Sequence, residues 1–161
     1  MKRLILLFAS ALFLVSCNTD DGPSIAYDFA LITEADLPEF FEKDETYDID
    51  VDYTLNSACH TFVGFDGNQG ENKENDSIFE YNVSVVSSYD PALTECPKES
   101  DSLSKTSQLF KDFEVKSENY TTYRFNFLSG FDSDDKPEYI TIDVPLGKPE
   151  PETPEEENTN E

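Results

Sequence analysis

Histidine is nearly absent from this chain of 161 residues, and cysteine is scarce. His60 is the single histidine, and Cys17, Cys59 and Cys96 are the only cysteines. Zinc sites take three or four His and Cys ligands, and a nucleophilic triad needs a base that a third group orients. Cys59 and His60 are adjacent, and neighbours on a strand point to opposite faces. We therefore expect no zinc site and no serine or cysteine hydrolase, and we interpret the chain as non-enzymatic.

Tryptophan is absent. The chain therefore lacks the indole that accompanies the paired cysteines of antibody domains, and it lacks tryptophan platforms for sugar rings. The 35 acidic residues make chance carboxylate pairs inevitable, and glycoside hydrolysis uses such a pair. A small carboxylate-based hydrolase is therefore kept as an alternative function.

Basic residues are few, since 11 Lys and Arg stand against 35 Asp and Glu, for a net charge of −24. A surface of this charge repels the phosphates of nucleic acids and the anionic head groups of lipids. The sequence therefore predicts no nucleic-acid partner. Cations and basic proteins remain possible partners of such a surface.

The one long apolar run, residues 4–15, is shorter than the ~20 residues that span a bilayer. Lys2 and Arg3 precede it and Ser16 follows it, which predicts a secretory signal peptide over residues 1–16. The run Leu14-Val15-Ser16-Cys17 resembles the lipobox of bacterial lipoproteins, in which the cysteine is diacylated and becomes the new N-terminus. The resemblance implies that Cys17 carries palmitate-type lipid and anchors the mature chain to a membrane.

An acidic stretch follows the lipobox within the predicted tether, residues 17–26. Its sequence is Asn18-Thr19-Asp20-Asp21-Gly22-Pro23-Ser24. This stretch resembles the surface-export signal of lipoproteins from the Bacteroidota, especially flavobacteria. The resemblance implies a lipoprotein of the outer membrane that faces outward from the cell. A plain solvated linker, with the protein on the periplasmic face, is the alternative.

Alternation of apolar and polar residues recurs between residues 27 and 146, which indicates half-buried β-strands. In the clearest example, Tyr47, Ile49, Val51, Tyr53 and Leu55 share one face. Further residues predicted to face inward are Phe113, Val115, Tyr123, Phe125 and Phe127. Seven strands are predicted, at residues 27–32, 46–55, 60–65, 78–86, 108–115, 120–128 and 139–144. We therefore predict one all-β domain over residues 27–146, an immunoglobulin-like β-sandwich of about seven antiparallel strands. A small closed barrel is the alternative.

The segments between these strands are rich in Gly, Pro, Asp and Ser. Turns are predicted at residues 65–70, 90–91 and 129–137, and a long polar loop at residues 87–106. Residues 37–41 are compatible with a single helical turn. Residues 147–161 contain three prolines and six glutamates, so we predict an acidic, disordered C-terminal tail.

The two cysteines beyond the lipobox are expected to pair with each other. Two cysteines in an exported protein most simply form one disulfide, so we predict a Cys59–Cys96 bond. Chain-entropy arguments put the stabilisation from a loop of this length at roughly 4 kcal/mol as an upper value. A free catalytic thiol is the rival interpretation.

Several strand patterns between residues 46 and 146 are similar to those of small flavobacterial lipoproteins. They are Thr46-Tyr47-x-Ile49-x-Val51, residues 59–65, Asn119-Tyr120-x-x-Tyr123-x-Phe125-x-Phe127 and Ile140-x-Ile142-x-Val144-Pro145. The resemblance implies an exported lipoprotein with a β domain, and it implies no activity.

Calcium is the metal that the sequence favours most, because hard cations take clustered carboxylate and carbonyl oxygens. One candidate turn lies between the last two strands and offers Asp132, Asp134, Asp135 and Glu138. A second candidate turn follows the predicted strand at residues 60–65 and offers Asp66, Asn68 and Glu71. Neither has the spacing of an EF-hand loop, so a solvated acidic turn is the competing interpretation. We therefore predict no cofactor, with calcium as the alternative.

Two three-residue patterns suggest covalent modification. Asp76-Ser77-Ile78 and Asp101-Ser102-Leu103 resemble the Asp-Ser/Thr-apolar O-glycosylation motif of exported Bacteroidota proteins. The resemblance implies Ser77 and Ser102 as glycan acceptors, and both are predicted in or beside loops, where a bulky glycan fits.

Together these observations predict a surface lipoprotein that binds or spaces without catalysis, with a protein or a glycan at the cell surface as its partner. β-Sandwiches commonly present function on end loops, so residues 87–106 and 129–137 are the predicted contact surface. A calcium-dependent binding or adhesion module is the alternative, and the small carboxylate-based hydrolase comes third.

Overall fold

The computed structural model describes residues 24–98 and 101–149. The predicted signal peptide, Cys17, most of the tether and residues 150–161 lie outside the described residues. Among the helices of the described part, none is long and apolar enough to cross a membrane.

Seven β-strands and one short 3-10 turn make up the described part, so the all-β prediction is confirmed. The strands are β1 Ala26–Ala35, β2 Thr46–Thr54, β3 Thr61–Glu71, β4 Ile78–Tyr89, β5 Ser104–Glu114, β6 Thr122–Phe131 and β7 Pro137–Pro145. The 3-10 turn covers Asp101–Leu103 and leads directly into β5.

Strand β1 joins two ladders into a sandwich-like arrangement. Its first half pairs with the end of β4, and its second half pairs with β2. β4 also pairs with β3 on one edge and with β6 on the other, and β6 pairs with β7. The second ladder runs from β1 through β2 to β5. The immunoglobulin-like connectivity stays a prediction.

One pair of strands is parallel, which corrects the prediction of antiparallel strands throughout. β4 and β6 run side by side in the same direction, with Ile78 opposite Thr122 and Val83 opposite Phe127. Parallel neighbours need a long crossover connection, and β5 supplies it by crossing to the other ladder. The alternation of residues along a strand carries no information on strand direction, so the sequence could not have indicated this pair.

The alternating faces predicted from sequence form one hydrophobic core. On β2, Ile49, Val51 and Tyr53 are buried, as predicted. On β6 the predicted inward face, Tyr123, Phe125 and Phe127, is likewise buried. Side chains from both ladders meet there, and each large buried side chain contributes about 1.5–3 kcal/mol through its removal from water.

The turn predicted at residues 65–70 is wrong, because this segment is the second half of β3. Asp66 to Glu71 continue the antiparallel ladder with β4 without interruption. Gly67 is compatible with the strand because a Cβ built on it would lie 1.9 Å from the backbone oxygen of Asn82. Glycine here permits a close approach of two backbones, which the sequence alone does not distinguish from a turn signal.

The helical turn considered for residues 37–41 is also wrong. Phe41 is fully buried, and its backbone N–H donates to the Pro145 oxygen at 2.9 Å. The N–H of Gly147 donates to the Phe41 oxygen at 2.8 Å. The end of β7 therefore satisfies backbone groups that a helical turn would satisfy locally.

The predicted disulfide is confirmed, since Cys59 and Cys96 are bonded with their Cα atoms 5.4 Å apart. The bond fixes the loop after β4 to the turn before β3. That loop is shorter than predicted, because β4 extends to Tyr89 and β5 begins at Ser104. Ala58 N–H donates to the Pro97 oxygen at 2.8 Å beside the disulfide, so the loop is held by backbone as well as by sulfur.

Candidate ligand-binding cleft

An open cleft lies where β5 faces β3 and β4. Its first cavity has a volume of about 310 Å³. Phe65, Tyr81, Leu109 and Phe110 supply its apolar walls, and residues 66–69 of β3 supply its rim. In the described residues β3 pairs only with β4 and β5 only with β2, so the two strands leave this side of the sandwich open.

Two irregularities in the ladders direct aromatic rings into the cleft. The register of β3 on β4 shifts between Phe62 and Gly64, which returns Phe65 to the inner face beside Phe62, with ring centroids 5.5 Å apart. The ladder of β2 and β5 shifts at Ile49, and Leu109 and Phe110 are then both half-buried. Such bulges change the direction of side chains on a strand.

The aromatic lining continues beyond the first cavity. Tyr81 lies 5.6 Å from Phe110, 5.8 Å from Phe113 and 5.0 Å from Phe125, measured between ring centroids. It forms one wall of a second cavity of about 210 Å³. The rings that share these two cavities are called the aromatic cleft: Phe65, Phe79, Tyr81, Phe110, Phe113, Tyr120 and Tyr123.

The phenols of the aromatic cleft remain protonated at neutral pH. Burial, with a contribution from nearby Tyr123, raises the pKa of Tyr81 to about 12. Burial also raises the pKa of Tyr123. The hydrogen bond that Tyr120 donates to Glu71 raises the pKa of Tyr120. The cleft therefore presents neutral rings and hydroxyl groups, with Asp66 at the edge of the first cavity and Glu114 and Lys116 at the edge of the second.

The chemistry of the first cavity suits binding better than catalysis. Asp66 is the one carboxylate among its lining residues, and no basic side chain lines it. Glycoside hydrolysis uses two carboxylates on opposite sides of the bond. Apolar walls with a few polar groups at the edge are typical of ligand sites, so the cavity is equipped to bind an apolar or aromatic group.

A second cluster surrounds His60 beside the disulfide. Ser57 Oγ and His60 Nδ1 are 2.8 Å apart, and the imidazole lies against the Tyr89 ring at 4.6 Å between centroids. His60 Nε2 is 3.9 Å from Asp28 Oδ2 and has no hydrogen-bond partner. Ser57, His60 and Asp28 have the types of a nucleophilic triad, although Asp28 is far from the other two in the sequence.

The hydrogen bonds of this cluster connect it to the backbone and to neighbouring side chains. Ser57 is only 3% exposed, and its Oγ accepts the N–H of Cys59 at 3.3 Å. Asp28 is engaged by Asn56, whose amide donates to it at 2.7 Å, and 3.9 Å is too long for a hydrogen bond to His60. The cluster borders a cavity of about 330 Å³, and its hydrogen bonds hold the turn before β3 in place. Nothing in the sequence indicated that Asp28 would join Ser57 and His60.

The predicted calcium turn between β6 and β7 is organised by its own backbone. Asp132 Oδ1 accepts the N–H groups of Asp134 and Lys136 at 2.8 and 2.9 Å. Lys136 Nζ lies 3.5 Å from Asp134 Oδ2. Asp135 has a positive φ of 59°, and Glu138 belongs to β7. No group of three or more His, Cys, Asp or Glu that could hold a metal occurs among residues 24–98 and 101–149.

The second calcium candidate is not a turn, because all three residues belong to β3. Asn68 accepts a hydrogen bond from Asn82 at 3.0 Å, and Glu71 accepts one from Tyr120 at 2.8 Å. Asp66 is exposed. Asn68 begins a row of hydrogen-bonded polar side chains across four strands. In this row the Asn126 amide donates to Asn82 and the Thr141 hydroxyl donates to Asn126. The alternation of a strand separates Glu71 from Asp66 and Asn68.

The two predicted glycan acceptors lie at strand entrances. Ser77 precedes β4, and its hydroxyl donates to Asn75 Oδ1 at 2.6 Å. Ser102 is exposed within the 3-10 turn before β5. Modification of either residue stays a prediction.

Comparisons with protein families, with curated proteins and with solved structures find no match to this chain.

Proposed function

We propose that the protein is a non-enzymatic binding lipoprotein, anchored in the outer membrane through Cys17 and displayed at the cell surface. Its β domain binds its ligand in the aromatic cleft. The observation that carries the proposal is the first cavity, about 310 Å³ of space between β3, β4 and β5 with three aromatic rings on its walls. A folded domain normally removes such rings from water, and half-buried rings around an open cavity are typical of a binding site.

The anchor is supported by the sequence of residues 1–17, and the outward orientation by the acidic stretch after Cys17. Two or three acyl chains give stable attachment, because each buried CH₂ contributes about 0.8 kcal/mol. The net charge of −24 suits a domain that stays in water near an anionic membrane without adhering to it.

The proposed binding site differs from the contact surface expected from sequence. Residues 87–106 and 129–137 were expected to form it, but both loops are shorter than predicted. The loop after β4 is fixed by the disulfide, and the loop after β6 is organised around Asp132. The aromatic cleft lies on the side of the sandwich instead.

Binding of the neutral apolar dye Nile red to the full chain in detergent-free nanodiscs, measured against empty nanodiscs because the dye also partitions into lipid, tests the cleft. We expect saturable binding that Phe110→Ala weakens about tenfold, which is a loss of roughly 1.4 kcal/mol. Phe131→Ala is the matched control, because it removes an equal ring that is 47% exposed at the far end of β6. Equal affinity of the two variants, or no saturable binding by the wild type, would contradict the proposal.

A further inference from the structure

β3 is an edge strand whose second part, from Gly64 to Glu71, lacks the usual protection against pairing. It is 11 residues long and pairs with β4 alone in the part of the chain that the structure describes. It contains no proline and no basic residue, and its only charges are Asp66 and Glu71. An unprotected edge of this length presents a row of backbone N–H and C=O groups to another strand.

The other two edges of the fold are protected. β5 has two register shifts on β2, a positive φ of 51° at Asp112, and basic residues at positions 105 and 111. β7 begins and ends with proline, and its end is occupied by the bridge between Phe41 and Leu146. Bulges, lysines and prolines are the means by which edges avoid pairing. β3 has one register shift, between Phe62 and Gly64, and from Gly64 to Glu71 it has no bulge, no basic residue and no proline.

The free edge of β3 borders the aromatic cleft. Residues 66–69 form the rim of the first cavity, and a further surface depression of about 430 Å³ runs along residues 68–71. A strand added beside β3 would lie about 4.8 Å from it and would direct every second side chain towards the inner face. One of those side chains would then meet Phe65, Tyr81 and Phe110.

Charge decides between the polypeptides that could occupy this edge. The edge carries Asp66 and Glu71, with Glu80 and one basic residue, Lys73, beside them, and the whole chain has a net charge of −24. A second copy of the chain would bring the same charge to the same edge and would be repelled. The C-terminal residues 147–161 carry six glutamates and three prolines, so they are unsuited to the edge for the same reason. A cationic segment is attracted.

We propose that β3 takes an extended cationic polypeptide segment of a partner protein as an added strand, with one apolar side chain of that segment in the first cavity. The inference rests on the proposed function of the aromatic cleft and names its ligand class. Backbone hydrogen bonds to β3 supply affinity, and the cavity selects the side chain, as in other cases of strand addition.

The test uses the full chain and a nine-residue synthetic peptide in which Lys alternates with Val and Phe. We expect the peptide to bind and to slow amide hydrogen exchange in residues 61–71 by tenfold or more, because the amides on the free edge become paired. Binding should weaken as salt rises, since the attraction is electrostatic. Phe110→Ala should weaken it about tenfold, and Phe131→Ala should leave it unchanged.

Two modified peptides serve as controls. N-methylation of alternate residues removes the backbone donors along one edge of the peptide, and replacement of Lys by Glu reverses its charge. We expect each change to weaken binding at least about tenfold. Equal affinity for the N-methylated peptide would overturn strand addition, and equal affinity for the acidic peptide would overturn the choice of a cationic partner.

The remaining outcomes separate this inference from the proposed function. If Nile red binds in the cleft but saturating peptide leaves amide hydrogen exchange in β3 unchanged, strand addition is overturned and the proposed function of the aromatic cleft is retained. If neither probe binds, both fail. Protection of β3 that grows with protein concentration in the absence of peptide, together with a dimer in sedimentation, would show that a second copy occupies the edge and would overturn the proposal.

Discussion

At the scale of single residues, Gly67 is the position at which β3 tolerates no side chain. A Cβ there would lie 1.9 Å from the Asn82 oxygen, whereas one on Gly70 meets nothing within 4 Å. We therefore expect Gly67→Ala to lower the free energy of unfolding by about 3 kcal/mol, since the backbones must separate. Gly70→Ala, in the same strand, should change it by no more than about 0.5 kcal/mol. Urea denaturation measures both, and equal effects would show that the close approach is not rigid.

The Arg124–Asp143 pair on the outer face of β6 and β7 makes stability depend on pH. Arg124 donates to both carboxylate oxygens at 2.7 Å, and this hydrogen bonding lowers the pKa of Asp143. Because the folded-state pKa is depressed, the pair stabilises the fold above the unfolded pKa near 3.8. That stability is lost as the pH falls through the folded pKa.

We expect Arg124→Met to raise the pKa of Asp143 and to lower stability at neutral pH by about 0.5 kcal/mol, a small value because solvent screens the pair. The difference from the wild type should vanish in acid. Carboxyl-carbon NMR titration measures the pKa, and denaturation at pH 7 and pH 2.5 measures the stability. A pKa of Asp143 that does not move in the variant would contradict this role.

The His60 cluster could not be anticipated as a unit at the residue scale. Ser57 and His60 are close in the sequence, but Asp28 and Tyr89 reach them only through the pairing of β1 with β4. The sequence interpretation that Cys59 and His60 do not form a nucleophile and a base agrees with the disulfide. The same pairing creates the resemblance to a triad and buries its serine.

At the scale of elements, alternation was a reliable guide to strands that are buried on one face. β2 and β6 were placed with their correct inward faces because their side chains alternate strictly. The strand predicted at residues 60–65 is shorter than β3, because the three glycines and the neighbouring polar residues of β3 are equally typical of a turn. Its ladder with β4, and the division of β1 between two ladders, depend on contacts between distant residues and leave no local pattern.

The aromatic cleft could not be predicted from the alternation of residues for the same reason. Each ring in it was visible as part of a strand pattern, and Phe113 and Tyr123 were expected to face inward. That the sandwich stays open between β3 and β5 depends on which strands pair, and the positions of Leu109 and Phe110 depend on a register shift. Neither property follows from alternation.

The disulfide is the element-scale feature with the largest expected effect on stability. Cys59→Ser combined with Cys96→Ser opens a loop with a sequence separation of 37 residues. We expect the free energy of unfolding to fall by up to about 4 kcal/mol. Hydrogen exchange should also accelerate in residues 90–98, which the bond holds, while β6 stays protected. A loss of protection throughout the domain would mean that the disulfide supports the whole fold rather than this loop.

The turn between β6 and β7 provides the corresponding test for calcium. Its central carboxylate, Asp132, already accepts two backbone hydrogen bonds. We therefore expect millimolar calcium to leave the melting temperature unchanged in thermal denaturation. A calcium-dependent rise that Asp134→Asn abolishes would instead favour the calcium-dependent module.

At the scale of the whole molecule, the account requires a lipid anchor. Cys17→Ala should abolish palmitate labelling and release the protein from the membrane fraction, because no acyl chain remains to hold it. Cys59→Ser should retain the label, which makes it the matched control for the loss of a cysteine. Protease treatment of intact cells should degrade the wild-type protein. Full protection from the protease would place the domain on the periplasmic face.

The central claim is that the aromatic cleft binds a ligand, and the lack of tryptophan allows it to be tested directly. Phe110→Trp places a single indole in the cleft of the full chain, and Phe131→Trp places one at an exposed site outside it. On titration with the cationic peptide, we expect the emission of the first variant to shift to the blue and to saturate, since the ligand excludes water from the indole. The emission of the second should stay constant. If both emissions shift equally, or if the indole in the cleft does not respond while the peptide binds, the ligand lies elsewhere and the account is wrong.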